Sequence, residues 1–230
     1  MSLYRLARQV AFPDPRDAEP DGLLAVGGDL SPDRLVAAYA AGIFPWYGPG
    51  SPILWWSPDP RLVLRPERLH VPRSLARTLR RGRYRVTADA AFPEVIRACA
   101  GAERPGQDGT WITGAMIAAY QRLHALGLAH SFEAWDGDAL AGGLYGVSLG
   151  SAFFGESMFS VRPDASKAAF VRSVEHLRGL GVGLIDCQVR TDHLVRFGAE
   201  EVPREDFLAL LEAALEAPTR QGRWVLQACT

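Results

Sequence analysis

The chain has 230 residues, 48% of them apolar, and a net charge of −1. That composition supports a globular core, and no run reaches the roughly 18 uncharged apolar residues of a membrane span, so no membrane partner is expected. Three scattered cysteines (Cys99, Cys187, Cys229) lack a C-x-x-C, and five histidines lack H-E-x-x-H spacing; neither a disulfide framework nor a metal centre is expected. The opening residues MSLYRLARQVAFPDP hold no unbroken apolar segment of a secretory signal, and the expected location is cytoplasmic.

The near-neutral total hides an asymmetry. Arg61 to Arg85 contains nine arginines and one acid, Glu67, so that segment carries +8 and the remainder sums to −9. Such a segment is an electrostatic footprint for phosphates.

Residues 1–59 read as a small N-terminal domain rich in Pro and Gly turns. It holds one helix, begun at Ser31-Pro32 and stopped at Gly42, and a short strand at Ile53–Trp56. Residues 60–230 form the second domain. A strand at Leu62–Leu64 precedes an arginine-rich helix, Arg73–Arg81. A strand at Tyr84–Thr87 and a helix at Ala91–Ala100 follow. GAERPGQDG reads as a polar loop. Thr113 caps a helix from Gly114 to Leu126. SFEAW and ALAGGLYGV face each other across Asp136-Gly137-Asp138, a hairpin signal. SAFFGESMFSV is a strand, DASKAAFVRSVEHLRGLG a helix and LIDCQV a strand. Thr191 caps a short helix to Phe197. A helix at Glu205–Glu216 and a strand at Trp224–Leu226 close the chain. No long heptad run appears, and a monomer is expected. The fold class is α+β: the small N-terminal domain, then a mixed-sheet domain with helices on both faces. A strand–loop–helix unit after an antiparallel meander is the plan of the GNAT acyltransferases, an analogy of fold alone.

Three polar residues sit in apolar strands. Alternation puts Asp186 and Gln188 on one face of LIDCQV, about 6–7 Å apart at about 3.3 Å per residue, and Cys187 on the other face, in the core. A carboxylate at that spacing can orient a carboxamide; a buried polar pair serving a neighbouring loop is the alternative. Alternation likewise groups Phe154, Glu156 and Met158 against Phe153, Gly155, Ser157 and Phe159. Gly155 signals a bulge or a close backbone approach. Glu156 is either functional, the partner of a buried arginine, or an edge residue facing water. Trp46 and Trp111 lie in loop contexts, suited to base stacking worth about 1–3 kcal/mol per base, or to plugging a core. Arg178 to Gly183 matches R-x-x-G-x-G, yet it closes a helix instead of opening one, so it reads as a helix stop and not a pyrophosphate cradle. The loop in the right place, Arg162-Pro-Asp-Ala-Ser, has no glycine.

Together GLLAVGGDLSPDRLVAAYAAGIFPW, PILWWSPDPR, GTWIT, AYQRLHALGLAHSFEAW, GGLYGV, GESMFS, ASK and LIDCQV resemble the bacterial leucyl/phenylalanyl-tRNA–protein transferase family, in family order from Phe12 to Phe207. Asp164 stands where Asn is expected, Leu144 where Met also occurs, and Arg190–Leu194 departs in places. The resemblance implies a GNAT-like catalytic domain without coenzyme A or any other cofactor. It implies transfer of Leu, Phe or Met from aminoacyl-tRNA to the α-amino group of proteins beginning with Arg or Lys, marking them for degradation. By matching positions, Trp46 and Trp111 hold the 3′-terminal adenosine. Leu144, Phe153, Met158 and Ile185 line the aminoacyl pocket. Asp186 orients Gln188, which helps position and deprotonate the attacking amine, the tRNA's own 2′-hydroxyl being the alternative, and Glu156 helps hold the acceptor N-terminus and its cationic side chain. The basic segment, with Arg73, Arg77, Arg80, Arg81, Arg83 and Arg85, gains the tRNA acceptor stem as partner. Two rivals are a coenzyme A-dependent acetyltransferase, disfavoured by the misplaced glycines, and a non-catalytic RNA-binding module, which leaves the three polar strand residues unexplained.

Overall fold

The computed structural model describes residues 3–102 and 110–226. Most of the expected GAERPGQDG loop, and Cys229, lie outside the described residues.

The N-terminal part consists of strands β1 (Tyr4–Leu6), β2 (Leu23–Gly27), β3 (Phe44–Pro45) and β4 (Leu54–Trp56), with helix α1 (Pro32–Ala40) inserted between β2 and β3. They form a four-stranded sheet in the order β1-β2-β4-β3. Ser31 occupies the N-cap, Pro32 the first helical position, and Gly42 (φ 71°) turns the chain out of the helix. A Cβ at Gly42 would meet the Phe207 ring at 2.8 Å and force it to shift.

The second part runs β5 (Arg61–Leu64), α2 (Arg73–Arg80), β6 (Arg85–Ala88), α3 (Phe92–Ala100), α4 (Gly114–Ala125), β7 (Ala129–Asp136), β8 (Ala139–Leu149), β9 (Ala152–Ser160), α5 (Ala165–Gly179), β10 (Leu184–Gln188), α6 (Asp192–Val195), β11 (Glu200–Val202) and α7 (Arg204–Leu215). Its seven strands follow the order β11-β5-β10-β9-β8-β7-β6. β7, β8 and β9 are an antiparallel meander; β9 and β10 pair in parallel across the α5 crossover. Thr113 and Thr191 cap α4 and α6, accepting from Met116 N and Leu194 N. One expected element fails. Trp224–Leu226 is not a strand; Trp224 instead stacks on His130 at 3.5 Å and donates its N–H to Asp89. The sheet edge is taken by β11, paired to β5.

Alternation divides the core between two faces of this sheet. Tyr145, Phe154 and Leu184 face α3 and α4, together with Trp55, Tyr39 and Phe44 of the N-terminal part and Phe207 of α7. Leu144, Phe153 and Ile185 face α5 and Leu75 of α2. Among the described residues the N-terminal sheet therefore shares one apolar core with the larger sheet.

Candidate active site

Two bulges at one level of the sheet build the site. In β9, Ser157 opposes Tyr145 and Gly155 opposes Gly146, which leaves Glu156 as the extra residue. In β10, Asp186 opposes Val63 and Gln188 opposes Leu62, which leaves Cys187 as the extra residue. A bulge re-aims the side chains around it, and each of these overturns a parity expected from sequence. Phe153 and Met158 belong to one face, and Phe154 and Phe159 to the other. Gln188 lines the cavity and Asp186 does not, and Cys187 lines the cavity while packing against the α5-side core. Gln188 takes φ 63° to make the turn. Glycines make room for the kink: a Cβ on Gly146 would come within 2.3 Å of the Phe154 carbonyl and 2.6 Å of the Phe153 ring.

Parallel pairing of β9 with β10 ends at Asp186 opposite Phe154. Two residues further along each strand stand Glu156 and Gln188. Their side chains continue the pairing, Gln188 Nε2 donating to Glu156 Oε1 at 2.9 Å. Glu156 is buried and also accepts from Tyr39 Oη of α1 at 2.7 Å and Tyr120 Oη of α4 at 2.9 Å. The two hydroxyls are themselves in hydrogen-bond contact. Burial pushes the Glu156 carboxyl up to about 7; its three donors pull down against that, and the Asp186 charge adds to the rise. Burial, then the Glu156 charge, raises both phenols.

Asp186 meets Arg61 as well as Gln188. Its oxygens accept from Arg61 Nε at 2.8 Å and Nη2 at 2.7 Å, and Oδ1 takes the backbone N–H of Gln188 at 2.8 Å. Both charged groups are fully buried, and the guanidinium lies between the rings of Phe44 (4.8 Å) and Phe207 (4.5 Å). Asp186 thus fixes the backbone of Gln188 while Glu156 fixes its carboxamide. Arg61, counted from sequence within the basic surface, is a core residue.

On the α5 side of this layer lies a cavity of about 610 Å³. Leu144, Phe153, Met158 and Ile185 line it, as do Trp46, Trp111, Glu156 and Gln188. Phe170, Val174 and Leu177 of α5 close its far wall. Trp46 is 36% exposed at the rim and packs on Trp56 with centroids 5.8 Å apart. The cavity also brings in His193, whose pKa is lowered by burial and then by Lys167 and Arg196. Arg73, Arg77, Arg80, Arg81, Arg83 and Arg85 stay outside it, on α2 and the following turn and strand. Among them Arg83 meets Asp136 at 3.5 Å and Arg85 lies over the Trp135 ring. Among the described residues no group of three or more His, Cys, Asp or Glu is arranged to hold a metal.

Tyr39, Tyr120 and Arg61 were missed from sequence. Each left a trace: a hydroxyl or a charge on an otherwise apolar, inward-facing stripe needs a buried partner.

Fold and cleft define a mixed α/β protein whose apolar cavity is flanked by tryptophans and backed by a hydrogen-bonded carboxylate–carboxamide pair. A family model described as leucyl/phenylalanyl-tRNA protein transferase matches residues 63–212, and one for the N-terminal domain of that protein matches residues 28–59. The leucyl/phenylalanyl-tRNA–protein transferase of Anaeromyxobacter sp. (strain Fw109-5) is 75% identical over 228 residues, 99% of this chain and 97% of its own. That of Myxococcus xanthus (strain DK1622) is 61% identical over 226 residues, 97% of each. A functionally unknown conserved protein from Staphylococcus epidermidis, of solved structure, aligns at TM-score 0.42 and 10% identity over 79% of this chain and 68% of its own, too remote to bear on the site. The chain belongs to the leucyl/phenylalanyl-tRNA–protein transferase family.

Proposed function

We infer that this protein is a tRNA-dependent aminoacyltransferase of the cytoplasm. It moves Leu, Phe or Met from aminoacyl-tRNA to the α-amino group of proteins beginning with Arg or Lys, which marks them for degradation. The observation that carries the reading is the cavity itself: an apolar chamber that reaches from Trp46 and Trp111 to the Glu156–Gln188 pair. The aminoacyl side chain occupies the part lined by Leu144, Phe153, Met158 and Ile185. The 3′-terminal adenosine lies at the tryptophans, where stacking does not depend on sequence. Discrimination by shape in such a pocket is worth about 1–3 kcal/mol per methylene, so modest misreading is expected.

An ester of tRNA is already an activated acyl donor, and much of the catalysis is positioning. The amine nitrogen forms the new C–N bond as the C–O bond to the ribose breaks. Gln188, its Nε2 committed to Glu156, presents its carboxamide oxygen to an N–H of the attacking amine. Glu156 receives the positive charge of the acceptor N-terminus. Asp186 acts from behind, through the backbone of Gln188. A GNAT-like architecture for residues 60–230, with 1–59 as a smaller domain, is supported by the meander followed by the β9–α5–β10 crossover. The β9–α5 connection contains Asp164 in the left-handed region and no glycine. An acyl donor carried on tRNA needs no pyrophosphate cradle at that turn. The arginines of α2 and its surroundings take the acceptor stem.

Radiolabelled Leu-tRNA and a peptide beginning with Arg test the reading. Label passes to the peptide, and not to the same peptide with an acetylated N-terminus. Absence of transfer by folded protein overturns it.

A further inference from the structure

The contacts around Glu156 contain more oxygen pairs than the phenols have protons. Tyr39 Oη meets Glu156 Oε1, Tyr120 Oη meets Glu156 Oε2, and the two hydroxyls meet each other: three oxygen–oxygen contacts. Each such contact needs one proton, and a tyrosine supplies one. With Glu156 ionised, two protons serve three contacts, and one pair of buried oxygens faces lone pair to lone pair. With Glu156 protonated the count closes. Its hydroxyl donates to Tyr120, Tyr120 to Tyr39, and Tyr39 back to the other carboxyl oxygen, so each phenol and the carboxyl group as a whole donates once and accepts once. Gln188 Nε2 adds a donor from outside the ring.

We propose that Tyr39, Tyr120 and Glu156 form a ring that holds one proton beyond those of the two phenols, and that Tyr39 and Tyr120 are positioning residues that set when Glu156 becomes an anion. The proposal rests on the transferase reading only for what the anion does. The surroundings agree with a neutral resting ring. Tyr145 of β8 stands edge-on to Tyr120 at 5.6 Å. Gln188 of β10 is uncharged. The Asp186 charge, which opposes a second anion nearby, is matched by Arg61 of β5 at 2.7 Å and not by any contact to Glu156. No cation forms an ion pair with the Glu156 carboxylate among the described residues. The burial that raises Glu156 toward neutrality points the same way.

In the transferase, the anionic ring pairs with the incoming α-ammonium. The nitrogen sheds two protons as it becomes an amide. One passes to Glu156 and from there to solvent; the other goes to the ribose oxygen as its bond to the carbonyl carbon breaks. The acid limb of the rate profile then reports ionisation of the ring. With both phenols present the anion leaves one oxygen pair without a proton, so losing one phenol relieves the anion and moves that limb downward in pH.

Two measurements test the ring. Infrared spectra of the wild-type protein minus Glu156→Gln, without substrate, show a protonated-carboxyl C=O band that disappears as pH rises through neutrality. In label transfer from Leu-tRNA, Tyr39→Phe and Tyr120→Phe each shift the acid limb of kcat/KM by about one pH unit to the acid side, about tenfold more rate below the wild-type limb. Absence of a titrating carboxyl band, or wild-type pH profiles in both tyrosine variants, overturns the proposal. The infrared band needs no turnover. A band in a protein that transfers no label therefore overturns the transferase reading and leaves the ring intact, while transfer without a band does the reverse.

Discussion

Asp186 is a carboxylate at full burial whose charge is met by one guanidinium, and that pairing governs what its removal does. Alternation predicts an Asp that acts on the Gln188 side chain, so that Asp186→Ala costs rate and spares the fold. The Arg61 contact predicts otherwise. Breaking a buried pair from one side leaves a charge without compensation and costs about 3–5 kcal/mol, whereas replacing both members by apolar residues is often neutral. Urea unfolding of Asp186→Ala is expected to show a loss of that size. Arg61→Met combined with Asp186→Leu recovers most of it. Transfer by the double variant stays slow, because the backbone N–H of Gln188 then has no acceptor. A double variant with full activity would remove Asp186 from the positioning of Gln188.

Helix α2 shows how an element divides its labour. Leu75 is buried against the α5 side of the sheet, while the arginines Arg73, Arg77 and Arg80 stay out of the core and Arg81 continues the basic surface at the C-terminus. Cations at a helix C-terminus also suit its dipole. Replacing Arg73, Arg77, Arg80 and Arg81 by Gln is expected to weaken tRNA binding at low salt. It should also flatten the plot of log K against log salt by about one for each phosphate that is no longer neutralised. An unchanged slope in filter binding would place the acceptor stem elsewhere. The strands were less legible than the helices. Helices α1, α2, α4 and α5 were readable from caps, stops and spacing, signals that are local. The bulges at Glu156 and Cys187 are set by what β8 and β5 offer opposite them, and Gly155 supplied only a hint. For that reason Glu156, Asp186 and Gln188 were recognisable as misfits in apolar strands, while their partners Tyr39, Tyr120 and Arg61 were not. The partners come from distant parts of the chain, and only the assembled sheet brings them together. Trp224 escapes a local reading for the same cause: an apolar run at the chain end resembles a strand, but stacking on His130 and the Asp89 carboxylate claim it first.

At the scale of the molecule, the two sheets share one core. Trp55 and Phe44 of the first pack in the same cluster as Tyr145, Phe154 and Phe207 of the second. Such an arrangement unfolds as a unit. Phe207→Ala removes a ring that covers Arg61 and abuts Gly42. It is expected to cost about 3–5 kcal/mol and to lower the urea midpoint equally by the fluorescence of a variant that keeps only Trp55 and by far-ultraviolet circular dichroism, which is dominated by the larger sheet and its helices. Two separated transitions would show that the parts are energetically independent. The position of Phe207 has a further consequence, which concerns the order in which the chain is made. The ribosome delivers Phe44 and Arg61 first, then Asp186, and Phe207 after all three. Until Phe207 clears the exit tunnel, the guanidinium that neutralises Asp186 lies open to water on one side, and the level of the sheet that carries Gln188 is unfinished. Activity is therefore not acquired before Phe207 has emerged, and translation products that stop before Phe207 are expected to be inert toward the charged tRNAs that surround them.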